Sequence, residues 1–328
     1  MSAEINKKNN YRIYDLIIFL PLLSFILGFY FNENSAGAGG YNGDSSWIRK
    51  NIDIFLQNNL SDAIMHPDFF GNRSPLIYII HKFINPFFGD FEKYRVSGFI
   101  FSLLGPIFFY NFLKKKYYVI DKKILFLVSS ILYLSPYYRT SAFWGLNENY
   151  GIVAAILSFL FLHIVKNEKN YNVINIFLLI LFSSVTVYFD LKLLIVPLIC
   201  FFSVLSSDFS FKKKFTISSI YFIFSLPYLY LIYSWGGLVP LATQEVNIKT
   251  ITSLGDISKI YQIHFGYCAT LIAFYLLPIT FFVQKNVFKK MLDMFKEKIT
   301  YYILFLIIIY FIYNFYFFDF KSYTITNH

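Results

Sequence analysis

The sequence predicts an all-α polytopic membrane protein: a bundle of about nine transmembrane helices, read as one domain over residues 1–328, with a large outer loop after the first span. Three observations predict it. Charged residues make up 15% of the chain against 57% hydrophobic and 22% aromatic, where soluble domains average about 25% charged. Mean hydropathy is +0.53. The lysines sit in short clusters beside long apolar runs, which is the pattern of inner-leaflet loops and not of a nucleic-acid surface, despite a net charge of +10. No nucleic-acid partner is expected.

Taken in order, apolar runs predict spans near 14–32, 95–113, 123–138, 149–165, 172–188, 191–206, 215–234, 264–284 and 300–318. The first is read as a retained span, because no small-residue cleavage site follows it. The run 75–88 (PLIYIIHKFINPFF) is interrupted by His81, Lys82 and Pro86. At 14 residues it falls short of the roughly 20 a crossing needs, so it is expected to lie along the membrane interface. Charge placement supports that choice. With the N-terminus in the cytosol and 75–88 not crossing, 18 of the 29 basic residues fall on the cytosolic side, including every run of two or more lysines. Letting 75–88 cross would move the clusters Lys114–Lys123, Lys212–Lys214 and Lys285–Lys298 outside. Residues 33–94 therefore form one outer loop.

That topology gathers polar residues on one side of the membrane. The first loop carries Asp44, Asp53, Asp62, His66, Asp68 and Arg73. Arg139, Asn147 and Glu148 stand where two spans join (YYRTSAFWGLNENYG), and Asp190 with Lys192 occupies a tight turn (VYFDLKLL). Each alone is also explained as an interface anchor or an internal ion pair, such as Arg139 with Glu148 or Asp190 with Lys192. As a set they predict a water-filled outer cavity lined by charge. Asp53, Asp62 and Asp68 read as solvated faces of short loop helices. The sequence holds no Gly-rich phosphate loop, GxSxG, HExxH or CxxC, and its five histidines lack metal-ligand spacing, so neither metal nor cofactor is expected. Cys200 and Cys268 lie inside apolar runs and read as small core residues.

The order of these features resembles the GT-C glycosyltransferases, the superfamily that includes the protein O-mannosyltransferases, the aminoarabinose transferases of lipid A and the lipid-linked-oligosaccharide assembly enzymes. The resemblance covers roughly residues 14–240. It begins with an acidic residue early in the first outer loop (YNGDSSW, Asp44) and continues with a Pro-Leu opening to an interfacial helix (NRSPLIYII, Pro75 and Leu76). A cytosolic basic turn (KKKYYVIDKK) follows, then an outer Arg-plus-acid motif (Arg139, with Asn147 or Glu148). SWGGLVP at 234–240 is similar to a segment of the dolichyl-phosphate-glucose-dependent glucosyltransferases. Arg73 and Ser74 stand where the family often has His and Pro, so that histidine's role does not carry over.

The resemblance implies inverting transfer of a sugar from a polyprenyl-phosphate donor to a hydroxyl on a lipid, glycan or protein acceptor. Such a reaction needs a base for the acceptor and a cation near the departing phosphate. Asp44 is expected as the base, its pKa raised by burial. Arg139 is expected at the phosphate, with Lys192 as the alternative cation. Glu148, Asp190, Asn147, Arg73 and His66 complete the expected substrate-binding set, and membrane lipid with helix 75–88 holds the prenyl chain. The AT-rich composition and the lack of an appended soluble domain point to a bacterial inner membrane, with the site facing the periplasm. Two other classes fit many spans and one outer loop: a surface-polysaccharide polymerase or ligase, and a non-enzymatic flippase or transporter of lipid-linked sugar.

Overall fold

The computed structural model describes residues 19–34, 39–71, 74–167, 172–207 and 209–250, together with Ile309. Among these the chain is helical, with no strand. It divides into two compact units, Met1–Glu245 and Val246–His328. The spans expected at 264–284 and 300–318, Cys268, and Arg73 lie outside the described residues.

Helix α1 (Leu20–Tyr30) is the described helical part of the run expected as the first span. The segment expected as the outer loop contains a π-helical turn, Gly39–Asp44, running directly into α2 (Ser45–Gln57), followed by α3 (Leu60–Ile64) and α4 (Leu76–Ile84). Helix α2 forms because its apolar residues share one face: Ile48, Ile52 and Phe55 are buried while Arg49, Lys50 and Asp53 are exposed. Burying three such side chains stabilises the loop by about 1.5–3 kcal/mol each. Helix α4, nine residues long, is the core of the segment expected at the interface. The lysine that interrupts it has a structural reason, since Lys82 donates its ammonium hydrogens to the carbonyls of Phe55 (2.5 Å) and Asn58 (2.9 Å), capping the C-terminal end of α2.

The second expected span starts four residues early and is split in two, α5 (Phe91–Ser102) and α6 (Leu104–Lys116). Asp90 sets the start by accepting from the backbone N–H of Glu92 and Lys93. Pro106 sets the break: with no N–H it cannot bond the Ser102 carbonyl, which instead accepts from the Tyr138 hydroxyl at 2.5 Å. The run expected as one span at 123–138 is likewise broken, into α7 (Lys122–Ser130), a 3₁₀ turn at Ile131–Leu134 and α8 (Pro136–Trp144). Pro136 opens α8 at a first-turn position, where its missing N–H costs nothing. Gly145 closes α8 at φ 68°, with the Tyr94 ring packed where a side chain would stand.

Helices α9 (Glu148–Asn167) and α10 (Val173–Phe189) pack extensively along one another; a 3₁₀ turn, Leu191–Leu194, leads to α11 (Ile195–Leu205), then α12 (Phe211–Trp235) and α13 (Leu241–Thr250). Three helical stretches are long and apolar enough to cross a membrane: Phe91–Lys116, Glu148–Asn167 and Phe211–Trp235. Large apolar side chains such as Phe202, Phe215 and Phe222 stand exposed along the later helices, as expected where lipid is the solvent. In α12 a half-buried hydroxyl enters the ladder beside Pro227. Tyr188 accepts from the Tyr228 N–H (3.1 Å) and donates to the Phe224 carbonyl (2.6 Å), inserting between two groups that would otherwise bond each other.

Candidate functional site

Four of the residues singled out from the sequence line one polar cavity of about 90 Å³: Asp44, Asn147, Asp190 and Lys192. They come from three separate segments. Asp44 ends the π-helical turn, Asn147 precedes α9, and Asp190 with Lys192 forms the turn after α10. Trp47, Ile48, Asn51, Phe69, Phe70, Gly71 and Tyr78 complete the wall.

The wall is held by a chain of hydrogen bonds. Asn51 donates to the Phe70 carbonyl (2.7 Å) and the Tyr78 hydroxyl (3.0 Å) and accepts from the Phe70 N–H (3.2 Å), joining α2, the Phe69–Gly71 strip and α4. The strip is pinned further by Thr243 on the Gly71 N–H (2.9 Å), and the chain on either side of it by Trp235 on the Ile64 carbonyl (3.1 Å) and Ser74 on the Tyr188 carbonyl (2.7 Å). Gly40 lets the π-helical turn lie against α8, because a Cβ there would stand 2.7 Å from Trp144. Trp47 stacks on Phe70 with ring centroids 4.1 Å apart at the rim.

Asn147 is the most informative residue of the cavity. It is fully buried (0% exposed), and among the described residues neither its amide nitrogen nor its amide oxygen has a hydrogen-bond partner. Leaving a buried polar group unsatisfied costs about 1–3 kcal/mol, so such a group in a cavity wall marks a place where a ligand completes the bonding. Asp190 is buried and accepts from the Lys192 backbone N–H at 3.0 Å. Among the described residues no ion pair or hydrogen bond holds the Lys192 ammonium, so the pairing with Asp190 considered from sequence is not made. Asp44 stands exposed at the rim instead of buried. The arrangement offers a ligand two carboxylates, one cation, an amide that donates and accepts, and an aromatic edge.

The other expected residues lie elsewhere. Arg139 is buried and its guanidinium is fully committed: it grips Glu33 with two nitrogens, one at 2.8 Å, and also bonds Ser24 and the Tyr133 carbonyl (2.9 Å). Its partner is Glu33, not Glu148, and this geometry gives it no donor for a phosphate. Glu148 is buried in the first turn of α9, outside the cavity lining. His66 is half-buried in the loop, where its Nδ1 accepts from the Asp68 N–H (3.1 Å). Asp53, Asp62 and Asp68 are exposed, as expected of solvated loop faces.

Beside the polar cavity runs an apolar groove of about 1050 Å³ between α4, α5, α6, α9 and α10. The two share walls residue by residue. Ile77 and Phe189 line the groove while their neighbours Tyr78 and Asp190 line the cavity. His81 lines the groove, buried and hydrogen-bonded to Tyr150 (2.9 Å). Burial disfavours its charged form and pushes its pKa down to about 4. Sequence reading missed Trp47, Asn51, Tyr78, His81 and Tyr150. One signal was present: Asp44, Ile48 and Asn51 recur at helical spacing, which puts Asn51 on the face that Asp44 begins.

Compared with known protein families, curated proteins and solved structures, the chain matches none of them. Among the described residues, no group of three or more His, Cys, Asp or Glu side chains is arranged to hold a metal ion.

Proposed function

We propose that the chain is an inverting membrane glycosyltransferase of the GT-C kind, a multi-pass protein of a bacterial inner membrane working on the periplasmic side in cell-envelope polysaccharide synthesis. It moves a sugar from a polyprenyl-phosphate carrier to the hydroxyl of a lipid, glycan or protein acceptor. One observation supports this above the rest: the polar cavity holding Asp44, Asn147, Asp190 and Lys192 adjoins an apolar groove large enough for a lipid chain. A lipid-linked sugar has the same two halves.

In this reading the prenyl chain lies in the groove along α4, and the phosphate meets Lys192 in place of Arg139, whose donors are spent on Glu33. The acceptor enters over the exposed rim, where its arrival excludes water from Asp44. Asp44 takes the acceptor hydroxyl's proton as the new bond to the anomeric carbon forms, and the bond from that carbon to the phosphate oxygen breaks. The electron pair leaves with polyprenyl phosphate, and one displacement inverts the configuration. Asn147 and Asp190 bond sugar hydroxyls, the amide gaining the partners it lacks within the chain.

The test uses the full chain purified in detergent with radiolabelled polyprenyl-phosphate hexose and a hydroxyl acceptor. Transfer by wild type and its loss in Asp44→Asn, at unchanged melting temperature, is the expected result. Near-wild-type turnover by Asp44→Asn would sink the base assignment. Movement of intact donor across a vesicle bilayer without transfer would replace the enzyme with a flippase.

A further inference from the structure

Four side chains at the groove form a hydrogen-bond chain whose direction is set from end to end. The Asn85 Oδ1 accepts from the Phe87 N–H at 3.0 Å, which fixes the amide and leaves Nδ2 as the donor. That Nδ2 donates to Ser97 Oγ (3.0 Å), whose own hydrogen is used on the Tyr94 carbonyl (2.6 Å). It also donates to His81 Nδ1 at 2.9 Å. His81 Nδ1 is therefore unprotonated, and a neutral ring carries its hydrogen on Nε2, facing the Tyr150 hydroxyl at 2.9 Å. Tyr150 must accept there. Its own hydroxyl hydrogen then has no acceptor among the described residues, although the side chain is buried at 7% exposed and lines the groove.

A buried donor left over on the wall of a largely apolar groove, whose other buried polar groups are already bonded, identifies the chemistry of the occupant: a lipid with an oxygen acceptor at its head. The groove adjoins the polar cavity at Ile77–Tyr78 and Phe189–Asp190, so that head lies at the junction. We propose that the Tyr150 hydroxyl donates to a phosphate oxygen of the lipid bound in the groove and that His81, oriented by Asn85, is the positioning residue that aims it. This rests on the lipid-linked donor proposed above. Tyr150 then supplies phosphate selectivity from the groove side and Lys192 supplies charge from the cavity side.

The experiment measures binding, without transfer, of three radiolabelled lipids of one chain length to the full chain in detergent: polyprenyl phosphate, polyprenol and the isoprenoid hydrocarbon. Tyr150→Phe keeps the ring and is expected to bind the phosphate lipid roughly tenfold or more weakly, with the hydrocarbon unchanged. His81→Gln, which keeps an N–H donor, is expected to retain the phosphate preference, and His81→Leu to lose it several-fold even should Tyr150→Phe fail to fold. Equal phosphate-lipid binding by wild type, Tyr150→Phe and His81→Leu would overturn the proposal, as would a parallel loss for all three lipids. Wild type that binds no lipid would overturn it too. Selective phosphate-lipid binding without any sugar transfer would leave this inference standing and remove the glycosyltransferase reading.

Discussion

Two polar clusters of this molecule look alike in the sequence and differ in the fold. Around Arg139, a guanidinium, a carboxylate, a hydroxyl and two carbonyls satisfy one another. Around Asn147, a buried amide has no partner among the described residues, and the exposed Lys192 lining the same cavity makes no ion pair with them. The first is closed and holds α1 to α8. The second is open and can take a ligand. A buried polar group at the end of an apolar run is therefore not itself a sign of function; what separates the two cases is whether its partners are already in the chain.

The largest effect expected from breaking this contrast is on the closed cluster. Arg139→Ala removes the guanidinium that grips Glu33, a change that costs about 3–5 kcal/mol for a fully buried pair. Glu33 is 34% exposed on its side chain, which places the loss near the lower figure. Melting temperature and expression should both fall, and a variant that melts like wild type but binds donor poorly would return Arg139 to the ligand site. Lys192→Ala should do the reverse. Stability should stay within about 0.5 kcal/mol, while donor affinity drops roughly ten- to hundredfold, the worth of a charge-assisted hydrogen bond. Equal donor affinity would remove Lys192 from the phosphate.

A smaller effect comes from His81 in the groove wall. Its folded-state pKa, near 4, lies below the ordinary 6.5. Below pH 6.5 the unfolded chain takes up a proton that the folded chain refuses, so stability present above that pH is lost as pH falls toward 4. Between pH 7 and pH 5.5 the loss is about 1 kcal/mol. His81→Gln should flatten that part of a melting-temperature profile; an identical acid slope in the variant would mean that other groups set it.

Much of the helical frame was legible, because hydrophobic runs, caps and prolines act locally. Glu148–Asn167 and Phe211–Trp235 fall within a few residues of the apolar runs that predict them. The breaks at Leu103 and at Ile131–Leu134 were not, since a proline marks where a carbonyl is freed but not which distant group will satisfy it, as Tyr138 does for Ser102. The site divides the same way. Asn147, Asp190 and Lys192 stood out as polar residues at the ends of apolar runs, and Asp44 as an acid early in the long polar loop. Glu33 did not, because its partner Arg139 lies 106 residues away and nothing in the local pattern joins them. His81 and Tyr150 look like ordinary interruptions of apolar helices until the fold sets them 2.9 Å apart.

The most direct measurement pairs stability with activity in Asn147→Leu. Replacing an unsatisfied buried amide with an apolar side chain of similar size should leave the melting temperature unchanged or raise it, while transfer from polyprenyl-phosphate sugar falls at least roughly tenfold. Full activity in a stable Asn147→Leu would contradict the claim that this cavity is where the protein meets its ligand.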